Sequence, residues 1–231
     1  MITLFGATGS GKSVQGELLA RRHHWTWISS REILLNSADK ELKYALEHGM
    51  FADDKKTTAL MQGVFDRAHG SRKNVILDGF PSSYREVLWM IDHGEIKNLT
   101  GAIVLRVPRG ELWKRLVQRK RVDDTRAAIE RRWDFYDRQI TGMIRTLTAN
   151  GVLVREVNGC NEPKDVTDRI DEVLADWGLI AEKQYDKISQ STVSRMAANV
   201  TPMDGGTKSN SAKIDIASEL LDALLSAAAN S

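Results

Sequence analysis

The sequence has a single cysteine, Cys160, and no long apolar run. One cysteine excludes a disulfide framework and a cysteine-based zinc site within the chain. No stretch reaches the roughly 18 apolar residues that a membrane helix needs. The first residues, MITLFGATGSG, also lack the basic and apolar segments of a signal peptide. These absences predict a cytoplasmic protein that does not associate with a membrane.

A large excess of charge is also missing. The formal net charge is +2 at pH 7, so overall electrostatics favour no nucleic acid partner. Residues 106–138 are a local exception, with eleven Lys/Arg against six Asp/Glu. Such a run is either a solvated helix face or a surface for a polyanionic ligand, and the sequence leaves both open.

Short runs rich in Val, Ile and Leu alternate with helical patterns over the first 180 residues. The apolar runs are 2–6, 25–29, 74–79, 101–107 and 152–158. The helical patterns are 11–22, 30–47, 54–69, 83–93, 109–121, 124–149 and 162–176. Runs that are mostly not alternating suit strands buried on both faces of a parallel sheet. The pattern therefore predicts an α/β fold, doubly wound, with about five parallel strands flanked by helices.

Composition changes after about residue 180. Residues 181–211 are mostly small and polar, which predicts a flexible linker. Residues 212–231 regain an apolar stripe at helical spacing and predict an amphipathic helix. This C-terminal extension either docks on the preceding domain or binds a protein partner or a second copy, and the sequence does not decide.

Residues 6–13, GATGSGKS, match the pattern GxxxxGK[ST] between a predicted strand and a predicted helix. Glycines let backbone N–H groups turn toward phosphates, and the helix start favours an anion. Lys12 reaches β- and γ-phosphate oxygens in such a loop, and the Ser13 hydroxyl takes a Mg²⁺ position. The predicted ATP-binding residues of this loop are Gly6, Thr8, Gly9, Ser10, Gly11, Lys12, Ser13 and Val14.

Asp78 ends the apolar run VILD. A parallel sheet brings the ends of its strands to one edge, so this carboxylate is expected beside the glycine-rich loop. We interpret Asp78 as the second metal residue, with Ser13. The alternative is a turn residue before Gly79.

The stretch ILDGFPSSYREV (76–87) resembles part of adenylate kinase and its nucleoside-monophosphate-kinase relatives. GATGSGKSVQ, ISSREILL, HGMFADD and RLVQRKRVDDTRAAIERRWDFY resemble the same family, in the same order, over roughly residues 1–177. The resemblance implies a P-loop kinase domain over 1–180, with a nucleoside-monophosphate (NMP)-binding insertion at about 30–70 and a short lid at about 119–123. It also implies reversible phosphoryl transfer from ATP, with Mg²⁺, to a nucleoside monophosphate.

The resemblance assigns roles to four arginines. Arg115 would stack on the ATP base and Arg119 would hold donor phosphates. Arg121 and Arg132 would bridge donor and acceptor phosphates. With Lys12, the predicted catalytic residues are Lys12, Arg119, Arg121 and Arg132.

The acceptor half departs from the family pattern. Ser82 and Leu35 stand where the family has arginines that grip the AMP phosphate, and Glu86 stands where a glutamine pairs with adenine. An ionised Glu86 only accepts hydrogen bonds, which favours a base that presents N–H donors, such as guanine. The predicted acceptor-binding residues are Ser30, Arg31, Phe51, Gly79, Phe80, Arg85, Glu86, Arg121 and Arg132. Arg31 and Arg85 are either substitutes for the missing arginines or plain surface residues.

The lid is short as well, because only Lys120 separates Arg119 from Arg121. The pair Asp123-Asp124 is either a general-base pair or a helix cap. Two other functions stay open. One is a P-loop kinase of a different small acceptor, and the other is a nucleotide-binding adaptor whose tail helix contacts a partner.

Overall fold

One parallel sheet organises the first 181 residues. The structure, a computed structural model, describes residues 1–69, 73–119 and 121–181. Within these ranges the five strands are β1 (Ile2–Phe5), β2 (Thr26–Ser29), β3 (Val75–Asp78), β4 (Gly101–Arg106) and β5 (Leu153–Asn158). They lie in the order β2-β3-β1-β4-β5, and each neighbouring pair is parallel. The predicted α/β class with about five parallel strands is confirmed.

Helices cover both faces of this sheet. They are α1 (Lys12–His23), α2 (Ser30–Asn36), α3 (Lys40–Glu47), α4 (Asp54–His69), α5 (Tyr84–Asp92), α6 (Arg109–Arg119), α7 (Arg126–Ala149) and α8 (Pro163–Asp176). A short 3₁₀ turn, Glu95–Asn98, follows α5 and was not predicted.

The single helix predicted over 30–47 is wrong, because the structure divides it into α2 and α3. The Asp39 side chain accepts hydrogen bonds from the N–H groups of Glu41 and Leu42, at 2.9 and 3.0 Å. Asp39 therefore begins a new helix. The apolar spacing on either side of this break is compatible with one helix, which explains the error.

The core has two layers, one on each face of the sheet. Ala102 and Val104 of β4 pack with α4, α5 and α7, while Ile103 and Leu105 pack with α1 and α8. Each large aliphatic side chain buried in this way stabilises the fold by about 1.5–3 kcal/mol. The central strands are thus buried on both faces, as predicted.

The edge strands differ from that expectation. β2 and β5 each pair with one neighbour only, and most of their residues are partly or fully exposed. Each edge strand still contributes to both layers of the core, through Trp27 and Ile28 in β2 and through Val154 and Val157 in β5.

The carboxyl ends of the strands form the edge that carries the predicted site. The glycine-rich loop follows β1, Asp78 ends β3, and residues 159–162 follow β5. Among the described residues, no helix is both long and apolar enough to cross a membrane. The predicted helix at 212–231 and the linker before it, apart from residue 181, lie outside the described residues.

Candidate active site

The glycine-rich loop joins β1 to α1. Gly9 and Gly11 have φ angles of 94° and 96°, a left-handed backbone that favours glycine. A Cβ on Gly11 would meet no atom within 4 Å, so the loop is open on that side. The helix α1 begins without a side-chain cap and without an acidic residue in its first turn. Its first N–H groups are therefore available to an anion.

Lys12 folds back over this loop. Its Nζ donates to the carbonyl oxygens of Gly6 and Ala7, at 2.6 and 3.3 Å. Burial lowers the pKa of Lys12, the carboxylate of Asp78 opposes that shift, and the charge of Arg119 adds to it. Lys12 thus sits within the electrostatic reach of both a candidate metal residue and a candidate catalytic arginine.

One cavity of about 1620 Å³ contains most of the predicted site residues. Those that line it are Thr8, Gly9, Ser10, Gly11, Lys12, Ser13, Val14, Ser30, Arg31, Asp78, Gly79, Arg115, Arg119, Arg121 and Arg132. Those outside its lining are Gly6, Phe51, Phe80, Arg85 and Glu86. The fold therefore brings the loop and the family-matched arginines together.

Two adjacent carboxylates hold three of the arginines in place. Asp124 accepts from Nη2 and Nε of Arg119, at 2.7 and 2.9 Å, and from Arg132 at 3.3 Å. A carboxylate oxygen of Asp123 lies 3.0 Å from Arg31 and 3.2 Å from Arg132, and the Asp123 carbonyl also accepts from Arg132. Both carboxylates are buried, so these ion pairs are shielded from bulk water.

The cap predicted at Asp123-Asp124 is wrong. The residue that caps α7 is Thr125, whose side chain accepts from the N–H of Ala128 at 3.3 Å. Because Thr125 satisfies the helix end, the two carboxylates are free to bind guanidinium groups. The general-base alternative stays a prediction.

Arg121 differs from the other arginines. Its side chain forms no ion pair or hydrogen bond with any residue that the structure describes. Burial lowers the pKa of Arg121, and the charges of Arg119 and Arg31 lower it further against the pull of the two aspartates. A guanidinium without an ion partner favours an incoming anion.

Arg115 lines the cavity beside the loop that follows β5. Its Nε donates to Glu111 at 3.0 Å, and Nη2 donates to the Cys160 carbonyl at 3.3 Å. The resemblance predicts that the ATP base stacks on Arg115, which here contacts the loop after β5. Cys160 itself is exposed and unpaired with another cysteine.

The acceptor end combines polar and apolar groups. The Ser30 hydroxyl donates to the carbonyl oxygens of Asp78 and Gly79, at 3.1 and 2.8 Å. Leu35 lines the cavity, and Phe51 packs on Phe135 with ring centroids 4.3 Å apart. Ser82 and Arg85 are exposed, and Phe80 is buried in the core.

Glu86 has a structural partner of its own. Its carboxylate accepts from the N–H of Ser82, while the Ser83 hydroxyl accepts from the N–H of Glu86 at 3.2 Å. This reciprocal arrangement is a capping box at the start of α5. Burial and the nearby charge of Asp54 raise the pKa of Glu86 to about 7, against the hydrogen bonds from Ser82 and Ser83.

Ser13 and Asp78 fit a Mg²⁺ site. A hydroxyl and a buried carboxylate are hard oxygen donors, and both line the cavity beside the glycine-rich loop. In the described ranges, no group of three His, Cys, Asp or Glu side chains is placed to hold a metal. An ion here would therefore take its other ligands from water and substrate phosphates, as Mg²⁺ commonly does.

Sequence reasoning missed several residues of this site. Only their position among basic residues indicated that Asp123 and Asp124 bind arginines. Only its spacing from Ser83 indicated that Glu86 takes part in capping α5. Glu47 and His48 also line the cavity, and no sequence signal indicated them.

The fold and the cavity define a P-loop protein of the nucleotide-kinase type. The sequence profile of the family described as "AAA domain" matches residues 2–134. Adenylate kinase of Azobacteroides pseudotrichonymphae is 31% identical over 189 residues, covering 75% of this chain and 96% of that protein. Adenylate kinase of Micrococcus luteus is 29% identical over 181 residues, covering 72% and 86%. Adenylate kinase of Thermococcus sibiricus is 26% identical over 214 residues, covering 75% and 93%.

The chain belongs to the adenylate kinase family. The resemblance deduced from the motifs is thereby confirmed, and the relatives support a phosphotransferase of the nucleoside-monophosphate-kinase type. The identity to these relatives is modest, and the departures of this chain from the family pattern fall in its acceptor half.

Proposed function

We propose that this protein transfers the γ-phosphoryl group of ATP to a nucleoside monophosphate, reversibly, and that its acceptor preference differs from that of an AMP-specific enzyme. One observation carries this proposal. The glycine-rich loop and the three candidate transfer arginines, Arg119, Arg121 and Arg132, line the same cavity.

Phosphoryl transfer needs positioned charge more than covalent chemistry. The loop and Lys12 would bind the donor phosphates through backbone N–H groups and an ammonium. Arg121, which has no described ion partner, would bind the phosphoryl group as it passes between oxygens. Bound Mg²⁺, held at Ser13 and Asp78, would neutralise charge on the donor phosphates.

The acceptor phosphate would be held by Arg31 and Arg132 in place of the arginines that Leu35 and Ser82 replace. Asp123 bonds both guanidinium groups and so brings them to one side of the cavity. A guanidinium pair suits a phosphate, because each presents parallel N–H donors. Glu86 lies outside the cavity lining, so we assign it no contact with the acceptor base.

The test is an assay of diphosphate formation from MgATP and a panel of ribo- and deoxyribonucleoside monophosphates. We expect a diphosphate from at least one of them, and a preference order in which AMP is not first. Lys12→Ala should abolish the product. Lys114→Ala, which changes an exposed lysine outside the cavity, is the matched control and should match wild type.

The absence of a diphosphate product from every monophosphate would reject the proposal. A second candidate function is the phosphorylation of another small hydroxyl compound. Leu35 favours it, because this apolar side chain lines the cavity where an arginine that binds the acceptor phosphate is expected. The same assay with non-nucleotide acceptors distinguishes the two, since only the second predicts ATP consumption with them.

A further inference from the structure

The indole of Trp133 is hydrogen-bonded to the glycine-rich loop. Trp133 lies on α7 and is 5% exposed. Its Nε1–H donates to the Thr8 carbonyl oxygen at 3.0 Å, across 125 positions of sequence. We propose that Trp133 is a positioning residue that fixes the orientation of this loop for the phosphates of the donor nucleotide. The inference rests on the proposed function for its ligand.

The peptide unit between Thr8 and Gly9 connects this hydrogen bond to the cavity. A trans peptide is planar, so its C=O and N–H point in opposite directions. The bond to Trp133 holds the Thr8 oxygen away from the cavity. The N–H of Gly9, a residue that lines the cavity, is therefore directed the opposite way and is available to a phosphate.

The hydrogen bond from Trp133 opposes a rotation of this peptide that the local backbone would permit. Glycine adopts positive and negative φ with similar ease, and Gly9 has φ 94°. A flipped peptide would present the Thr8 carbonyl oxygen to an anionic phosphate and repel it. The indole N–H therefore selects the orientation that binds phosphate.

The glycine-rich loop also packs against the apolar cluster that contains Trp133. Ala7 contacts a buried group formed by Leu112, Leu116, Ile129 and Trp133, with Val107 and Trp113 at its border. A Cβ on Gly9 would lie 3.0 Å from Leu116 Cγ. The loop is thus held between α6 and α7, and Trp133 supplies the polar contact in an otherwise apolar cluster.

Trp133 also links the loop to the arginines. It follows Arg132, whose guanidinium bonds Asp123 and Asp124. Successive helix residues point about 100° apart, so the two neighbours reach different parts of the site from one turn of α7. This turn therefore sets the distance between a transfer arginine and the donor phosphates.

The test compares Trp133→Phe with Trp113→Phe. Trp113 packs edge-on against Trp133 at 6.4 Å between ring centroids but belongs to the border of the cluster, so it is the matched control. Calorimetric titration should show a dissociation constant for MgATP raised about fivefold to tenfold in Trp133→Phe, as expected for one lost hydrogen bond. The rate constant for transfer should fall, and the KM for the acceptor should stay within about twofold of wild type. Trp113→Phe should match wild type.

A second replacement guards against a folding defect in Trp133→Phe. A benzothienyl-alanine at position 133 keeps the bicyclic ring and replaces N–H by sulfur, so it should weaken MgATP binding by the same factor.

The MgATP affinities of wild type and of the two variants at position 133 test the role of Trp133. Wild-type affinity in both variants at position 133 would overturn it, and so would a parallel loss of acceptor affinity, which indicates general loosening of α7. A wild-type protein that binds MgATP but phosphorylates nothing would reject the proposed function, while weaker MgATP binding in the variants would still support the role of Trp133. A wild-type protein that binds no MgATP would overturn both.

Discussion

Replacing Asp124 by Asn should destabilise the unliganded protein by about 2–3 kcal/mol. Asp124 is 3% exposed and pairs with Arg119 and Arg132, which are 30% and 14% exposed. Removing one partner of a buried ion pair costs about 3–5 kcal/mol, and the partial exposure of Arg119 lowers that figure through solvent screening. In a domain of this size the change lowers the melting temperature by roughly 4–12 °C.

Bound nucleotide should reduce the difference in melting temperature between wild type and Asp124→Asn. Phosphates supply the negative charge that the variant lacks, so MgATP should raise the melting temperature of Asp124→Asn more than that of wild type. The assay is thermal unfolding with and without saturating MgATP. Asp134→Asn is the control, because Asp134 pairs with Arg109 at 3.1 Å on a surface where both are more than half exposed. Such a pair is worth less than about 1 kcal/mol.

Two results would refute this reasoning. One is an unliganded Asp124→Asn protein with the same melting temperature as wild type, which would mean that the carboxylate does not stabilise the arginines. The other is a difference that MgATP leaves unchanged, which would mean that the phosphates do not meet the same guanidinium groups.

Three further predictions follow from the site. Lys12→Ala should slow phosphoryl transfer at least about a hundredfold, and a smaller loss of rate would contradict the role of Lys12. The melting temperature should not fall, because burial already disfavours the charged form of Lys12. Ser82→Arg should lower the KM for AMP about tenfold through a charged hydrogen bond to its phosphate, and an unchanged KM in steady-state assays would show that position 82 does not face the acceptor. Glu86→Gln should flatten the pH dependence of stability: burial raises the pKa of Glu86 from 4.5 to about 7, so wild type loses about 3 kcal/mol as the pH rises through that window. Thermal unfolding at pH 5 and pH 8 measures this, and a variant that follows wild type at both values would disprove it.

The fold was predictable because its central strands are buried on both faces. β1, β3 and β4 each read as an apolar run without alternation, and helical periodicity marks the connections between strands. The break between α2 and α3 was not predicted, since it depends on the Asp39 cap rather than on periodicity. The exposure of β2 and β5 was not predicted, because the apolar pattern does not show which strands lie at the edges of the sheet.

The candidate site was predictable where its residues are consecutive. The glycine-rich loop is eight adjacent residues, four of which (Gly6, Gly11, Lys12 and Ser13) define its pattern, so a single stretch of sequence specifies it. The arginines were identified by spacing and resemblance, but spacing does not reveal what a guanidinium bonds. Arg31 is the clearest example, since its pairing with Asp123 joins positions 92 residues apart.

The ion pairs of this arginine cluster also predict that the site favours an anionic ligand. The guanidinium groups of Arg31, Arg119 and Arg132 share the two carboxylates of residues 123 and 124, while that of Arg121, close to them, has no described ion partner. Bringing like charges into a partly buried cavity costs free energy. The fold tolerates this cost because apolar packing of α6 and α7 holds the arginines close together. Phosphates would relieve it, so nucleotide binding should stabilise the arrangement on which phosphoryl transfer depends.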